Sequence, residues 1–137
     1  MDVITVFVET EIYPTESAEK VKAAVTNVLG NADITIKPSI KGSTLTMITK
    51  GPESLSKLRN LIRNERIRDA TRRLLFKSIR GAMITFYLNK QVAFAGHISF
   101  SEETAESPLG PIRVNIKTER PQQLIEWLAE KPLKREL

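Results

Sequence analysis

A chain of 137 residues with 21 basic and 16 acidic side chains, one histidine and no cysteine fits one domain, 1–137, with an ordinary globular balance. The missing cysteines exclude disulfides, thiolate zinc sites and cysteine nucleophiles, and a single histidine excludes a multi-histidine metal site within one chain. No apolar run is long enough to span a membrane, and the N-terminus lacks a signal-peptide pattern, so a cytoplasmic protein with no membrane partner is expected.

From Val3 to Tyr13 apolar residues alternate, with Ile4, Val6, Val8 and Ile12 on one face, as in a half-buried strand. Pro14-Thr15-Glu16 predicts a helix start capped by Thr15, and Ala18, Val21, Val25 and Val28 recur at helical spacing up to Gly30. Two strands follow, near Ile34–Lys37 and Thr44–Lys50, joined around Gly42-Ser43. Gly51-Pro52-Glu53 opens a helical region with the stripe Leu55, Leu58 and Ile62. A second stripe, from Ile67 through Ala70, Thr71, Leu74 and Ser78, is out of phase with the first. The phase shift predicts two helices, broken near Asn64, with Asn64 capping the second and Gly81 ending it.

Ala82 to Phe100 predicts a hairpin with Ile84, Phe86 and Leu88 on one strand and Val92, Phe94, Ile98 and Phe100 on the other. Register parity requires a three-residue loop, Asn89-Lys90-Gln91, to bring both sets to one face. An acidic loop is expected over 101–107. A last strand follows, with Ile112, Val114 and Ile116 inward and Arg113, Asn115 and Lys117 outward. Pro121 begins a final helix carrying Leu124, Trp127 and Leu128 toward the core, and Pro132 stops it. The order β-α-β-β-α-α-β-β-β-α argues for an α+β fold: a mostly antiparallel or mixed sheet with helices on one face.

Charge is concentrated. Between Lys57 and Arg80 stand nine basic residues and two acidic ones, Glu65 and Asp69, a local charge of +7, while the rest of the chain holds 12 basic and 14 acidic residues. On one continuous helix Arg66, Arg73, Lys77 and Arg80 would fall within a sector of about 60°, a row of cations able to track phosphates. Arg68 and Arg72 lie on the other flank. The bland alternative is a solvated helix face neutralised from elsewhere, for instance by Glu102 and Glu103. The Asn89-Lys90-Gln91 tip offers polar contacts to phosphates or base edges, or is merely a turn. Behind the hairpin, Tyr87 and His97 with Arg113 and Lys117 could stack on unpaired bases. His97 with Glu102 or Glu103 is the one enzymatic constellation in view, but no nucleophile elbow or phosphate-cradling loop accompanies it.

Several of these segments resemble an archaeal family, uncharacterised protein family 0201. They are the opening strand into Pro14-Thr15-Glu16, the run Arg66-Ile67-Arg68-Asp69-Ala70-Thr71-Arg72, and Leu88-Asn89-Lys90-Gln91-Val92-Ala93-Phe94. Leu109-Gly110-Pro111-Ile112 and Leu124-Ile125-Glu126-Trp127-Leu128 resemble it too. The chain departs from the family pattern at Arg68, where an apolar residue is usual, and at Thr71 and Val92, where alanine is usual. The resemblance covers nearly the whole chain. It implies a fold like that of the ribosomal protein that binds 5S rRNA, and RNA as a partner; Arg72, Asn89, Lys90 and Gln91 match the family pattern. Some members are joined to a P-loop kinase-like domain, which implies a protein partner instead.

The leading expectation is therefore a non-enzymatic RNA-binding domain without cofactor or metal, using Arg66, Arg72, Arg73, Lys77, Arg80, Asn89, Lys90 and Gln91. The alternative is a protein-interaction module, a homodimer or the partner of a P-loop kinase-like protein, recognisable by an exposed apolar patch. The third is an enzyme centred on His97.

Overall fold

Strict alternation shapes the first strand of the computed structural model, which describes residues 3–102 and 109–131. In β1 (Thr5–Ile12) Val6, Val8, Thr10 and Ile12 are buried and their neighbours half-exposed. The helix that follows starts later than expected. Pro14 and Thr15 form a turn closed by the Glu16 N–H on the Tyr13 carbonyl, and α1 (Ala18–Leu29) is capped by Ser17, whose hydroxyl accepts from the Lys20 N–H. Thr15 is thus not the cap: the turn delays the first helical N–H groups by two residues. β2 (Ile34–Ser39) and β3 (Gly42–Lys50) form the expected hairpin. Gly42 takes φ 133, and a Cβ there would lie 2.4 Å from the Ile12 carbonyl oxygen, so only glycine fits this close approach of the hairpin to β1.

A 3₁₀ turn at Pro52–Leu55 leads into α2 (Ser56–Asn64), and α3 spans Arg68–Lys77. The break lies where the phase shift put it. However, Asn64 ends α2 and caps nothing; the start of α3 has no side-chain cap, and Arg66 between the helices adopts φ 57. That left-handed residue rotates the second stripe, so Thr71 and Leu75 are buried while Ala70, expected inward, is exposed. The helix ends at Lys77 with Ser78 as cap, not at Gly81.

The expected long hairpin is the main correction. β5 (Met83–Asn89) buries Ile84, Phe86 and Leu88 as predicted, and a two-residue strand, β4 (Ile79–Arg80), pairs with its start. After β5 the chain turns helical: α4 covers Lys90–Phe94, and only Phe100–Ser101 (β6) returns to pair with β5. Asn89 is the reason. Its side chain accepts from the Val92 N–H, closing an N-cap in place of a strand loop. Consequently Phe94 is 47% exposed, not part of an inward strand face. The rest agrees with expectation: β7 (Pro111–Lys117) buries Ile112, Val114 and Ile116, and α5 (Pro121–Leu128) buries Leu124, Ile125 and Leu128. Trp127 stays half-exposed beside the core. The acidic loop at 103–107 and Pro132 lie outside the described residues.

The seven strands form one antiparallel sheet in the order β2-β3-β1-β7-β5-β4, with β6 sharing the free edge of β5. Its inward side chains join the buried residues of α1, α2, α3, α4 and α5 in one hydrophobic cluster. Phe7, Ile48, Met83 and Tyr87 alternate to the other side and take no part in it. Among the described residues the helices therefore cover one face of the sheet and leave the other open.

Candidate nucleic-acid interface

The cations of 57–80 divide into two sets once the helices pack. α5 lies against α2 and α3 and carries Glu126, with Glu130 just beyond it. Arg72 donates to both Glu126 carboxylate oxygens and to the Ala129 carbonyl, and its guanidinium sits 5.4 Å from the Phe76 ring centroid. Hydrogen bonding to Arg72 holds the Glu126 carboxyl below the ordinary carboxylate range and raises Arg72 in turn. Arg59 donates to the Trp127 carbonyl and to Glu130, while Arg63 and Arg68 each come within 4.0 Å of Glu130. Lys57 donates to the Thr26 carbonyl. Glu65, counted as a local partner for the arginines, instead accepts from the Ile98 N–H and faces His97.

The second set is Arg66, Arg73, Lys77 and Arg80. All four are exposed, and among the described residues none pairs with a carboxylate. They are not a single helical row. Arg73 and Lys77 lie on α3, Arg66 on the turn before it, and Arg80 on β4, where its guanidinium donates to the Lys77 and Ile79 carbonyls. Together they follow the rim of the α3 layer down to the sheet edge. Arg72 belongs to the neutralised set. The compensating acids are Glu126 and Glu130; their spacing of four at the end of the predicted amphipathic final helix is the signal that could have found them.

Asn89-Lys90-Gln91 is not an exposed tip. Asn89 is the α4 cap, and Lys90 is buried. Its ammonium donates to the Glu11 and Leu109 carbonyls, each at 2.7 Å, and to the Glu16 carboxylate at 3.0 Å. Burial pushes the Lys90 pKa down, and the Glu16 carboxylate pulls it partly back. This one side chain ties the end of β1, the turn before α1 and the approach to β7 to α4. Of the three residues only Gln91 is exposed, on α4.

His97 also stands elsewhere than expected. It follows α4 on the helical side, 3.4 Å from Glu65, so it is not beside Tyr87; among the described residues its acid is Glu65, not Glu102, and Glu103 lies outside them. Its side chain is 66% exposed. Among the described residues no group of three histidine or carboxylate side chains is placed to hold a metal. Tyr87, Arg113 and Lys117, by contrast, do share the open sheet face: Tyr87 is registered with Arg113 and Met83 with Lys117. Phe7 and Lys50 lie on that face as well and were missed, although the parity that put Val6 and Val8 inward already put Phe7 outward.

Comparison with known proteins agrees with this architecture. A family model described as RNA binding matches residues 5–118. The UPF0201 protein of Sulfurisphaera tokodaii is 40% identical over 131 residues, 94% of this chain and 89% of its own. That of Thermococcus kodakarensis is 41% identical over 124 residues, 89% of this chain and 86% of its own. The crystal structure of the UPF0201 protein from Methanococcus jannaschii superposes with a TM-score of 0.83 at 28% identity, covering 95% of this chain and 96% of that one. A DUF54 protein from Methanothermobacter thermautotrophicus, 16% identical with a TM-score of 0.63, shares the fold. With the family model spanning most of its length and archaeal relatives aligned nearly end to end, the chain belongs to the UPF0201 family.

Proposed function

We propose that the protein is a non-enzymatic RNA-binding domain whose phosphate grip is the rim formed by Arg66, Arg73, Lys77 and Arg80. One observation carries the reading: these four stay exposed and free of carboxylates, while their neighbours Arg59, Arg63, Arg68 and Arg72 are matched to Glu126 and Glu130. Unmatched cations clustered on one side of a fold are the electrostatic footprint of a polyanion site. The RNA-binding description of the matching family model points the same way. Gln91 stays available for a polar contact; Arg72, Asn89 and Lys90 support the fold that presents the rim. The alternative of a protein-interaction module, as a homodimer or with a P-loop kinase-like partner, called for an apolar patch. Among the described residues the exposed large apolar side chains are spread over several elements instead, with Val3 ahead of β1, Ile40 in the β2–β3 turn, Phe94 on α4, and Ile48 and Met83 three strands apart.

The test is the salt dependence of RNA binding by the whole chain. Neutralising about four single-strand phosphates gives a slope of log K against log salt of roughly −3. Replacing Arg66, Arg73, Lys77 and Arg80 together by glutamine removes most of that slope. An unchanged slope in the quadruple variant overturns the assignment.

A further inference from the structure

The uncovered face of the sheet is organised in cross-strand rows, and one of them is cationic. Register places Arg80 opposite Met83, Met83 opposite Lys117, Lys117 opposite Thr5, and Thr5 opposite Lys50. Partners in a ladder point to the same side of a sheet. The row therefore carries three exposed cations, two strands apart from one another, or about 10 Å. None pairs with a carboxylate among the described residues. Arg80 is also the end of the rim on α3, so the cationic track turns over the β4 edge onto the open face.

The next two rows carry the half-exposed rings of Phe7 and Tyr87 and the exposed Ile48, around a buried amide, Asn115. One runs Thr85, Asn115, Phe7 and Ile48; the other runs Tyr87, Arg113, Glu9 and Thr46. Phe7 and Tyr87 are half-exposed and lie outside the core. Asn115 donates to the Thr85 hydroxyl at 2.7 Å, which fixes the surface between the two rings. The acids on this face are engaged: Glu9 sits 3.7 Å from Arg113, and Glu11 accepts from the Ser39 and Thr44 hydroxyls. A face with cations along one end and aromatic rings beside them complements an unpaired strand, whose phosphates need charge and whose splayed bases need a ring to stack on. Duplex RNA hides its base faces and has no use for the rings.

Resting on the RNA-binding reading, we infer that this open face is the seat of a single-stranded RNA segment, with phosphates along Arg80, Lys117 and Lys50 and bases against Phe7 and Tyr87. The measurement is fluorescence anisotropy of the full chain with a labelled oligoadenylate of about a dozen nucleotides, beside a duplex RNA of the same length. Phe7→Leu with Tyr87→Leu weakens single-strand binding about ten-fold or more and leaves duplex binding unchanged. Lys50→Gln with Lys117→Gln lowers the salt slope by about one further unit. Photo-crosslinking of a 4-thiouridine strand to the unmodified protein gives an independent readout, with adducts on peptides containing Phe7 or Tyr87.

Wild-type affinity in the leucine variant, or adducts confined to α3, overturns the sheet-face assignment while the rim reading stands. Binding of neither RNA by the native chain overturns both. A dimer that Ile48→Lys dissociates, with RNA binding untouched, assigns the face to self-association instead.

Discussion

The ammonium of Lys90 carries three protons and meets two carbonyls and one carboxylate, so every donor is used inside the fold. Its partner Glu16 also accepts from the Tyr13 N–H, which makes the pair part of the turn that delays α1. Replacement by methionine keeps the stem but strands a mostly buried carboxylate and two buried carbonyls. Removing one partner of such a pair costs about 3–5 kcal/mol, and urea unfolding of Lys90→Met should show a loss of that size. A loss under about 1 kcal/mol, the value of an exposed pair, would contradict the burial. In the sequence Lys90 reads as part of a polar tip, because nothing local marks a lysine as buried. Its acceptors stand 19 to 79 positions away. Thr71 makes a similar point in reverse: its hydroxyl is buried and, among the described residues, without a hydrogen-bond partner, which an alanine there would avoid.

At the level of elements, strands β1, β3, β5 and β7 were legible because alternation is a local code: parity alone assigns each side chain to a face. The same code misled beyond Asn89. Val92, Phe94, Ile98 and Phe100 satisfy strand parity, but Asn89 supplies a cap, and Asn27 on α1 donates to the Ala93 and Phe94 carbonyls at the other end. A five-residue helix held at both ends by amide side chains has little intrinsic stability and depends on those bonds. Asn89→Ala should cost about 1 kcal/mol and speed amide exchange selectively across 90–96; uniform exchange protection through this segment would show that the cap does not hold it. Between α2 and α3 the break was readable from the phase of two apolar stripes. Its register was not, because a single left-handed residue, Arg66, resets the angle between them.

On the scale of the whole molecule, packing decides which charges face water. α5 brings Glu126 and Glu130 against the arginines of α2 and α3, from 54 to 71 positions along the chain. That contact matches four of the segment's nine cations and, among the described residues, leaves the rim of four and Lys57, which donates to the Thr26 carbonyl, without a carboxylate. Glu126→Gln with Glu130→Gln should release Arg59, Arg63 and Arg72 toward solvent. The expected result is tighter RNA binding and a steeper salt slope, by roughly one to two units, in the same anisotropy titration that measures the rim variant. Unchanged affinity and slope would mean that the freed arginines lie away from the bound phosphates.

By itself the sequence determined the α+β class, the inward residues of the four longer strands, the two middle helices and the surplus of positive charge. All of these follow from periodicities and counts within a few residues. Tertiary structure alone decided which cations remain free, that Lys90 is an internal tie, that His97 stands apart from Tyr87, and that Phe7 and Lys50 join Tyr87, Arg113 and Lys117 on one open face. Those are relations between residues far apart in sequence, and they exist only once the strands are registered and the helices docked, because charge compensation and burial depend on distance in space.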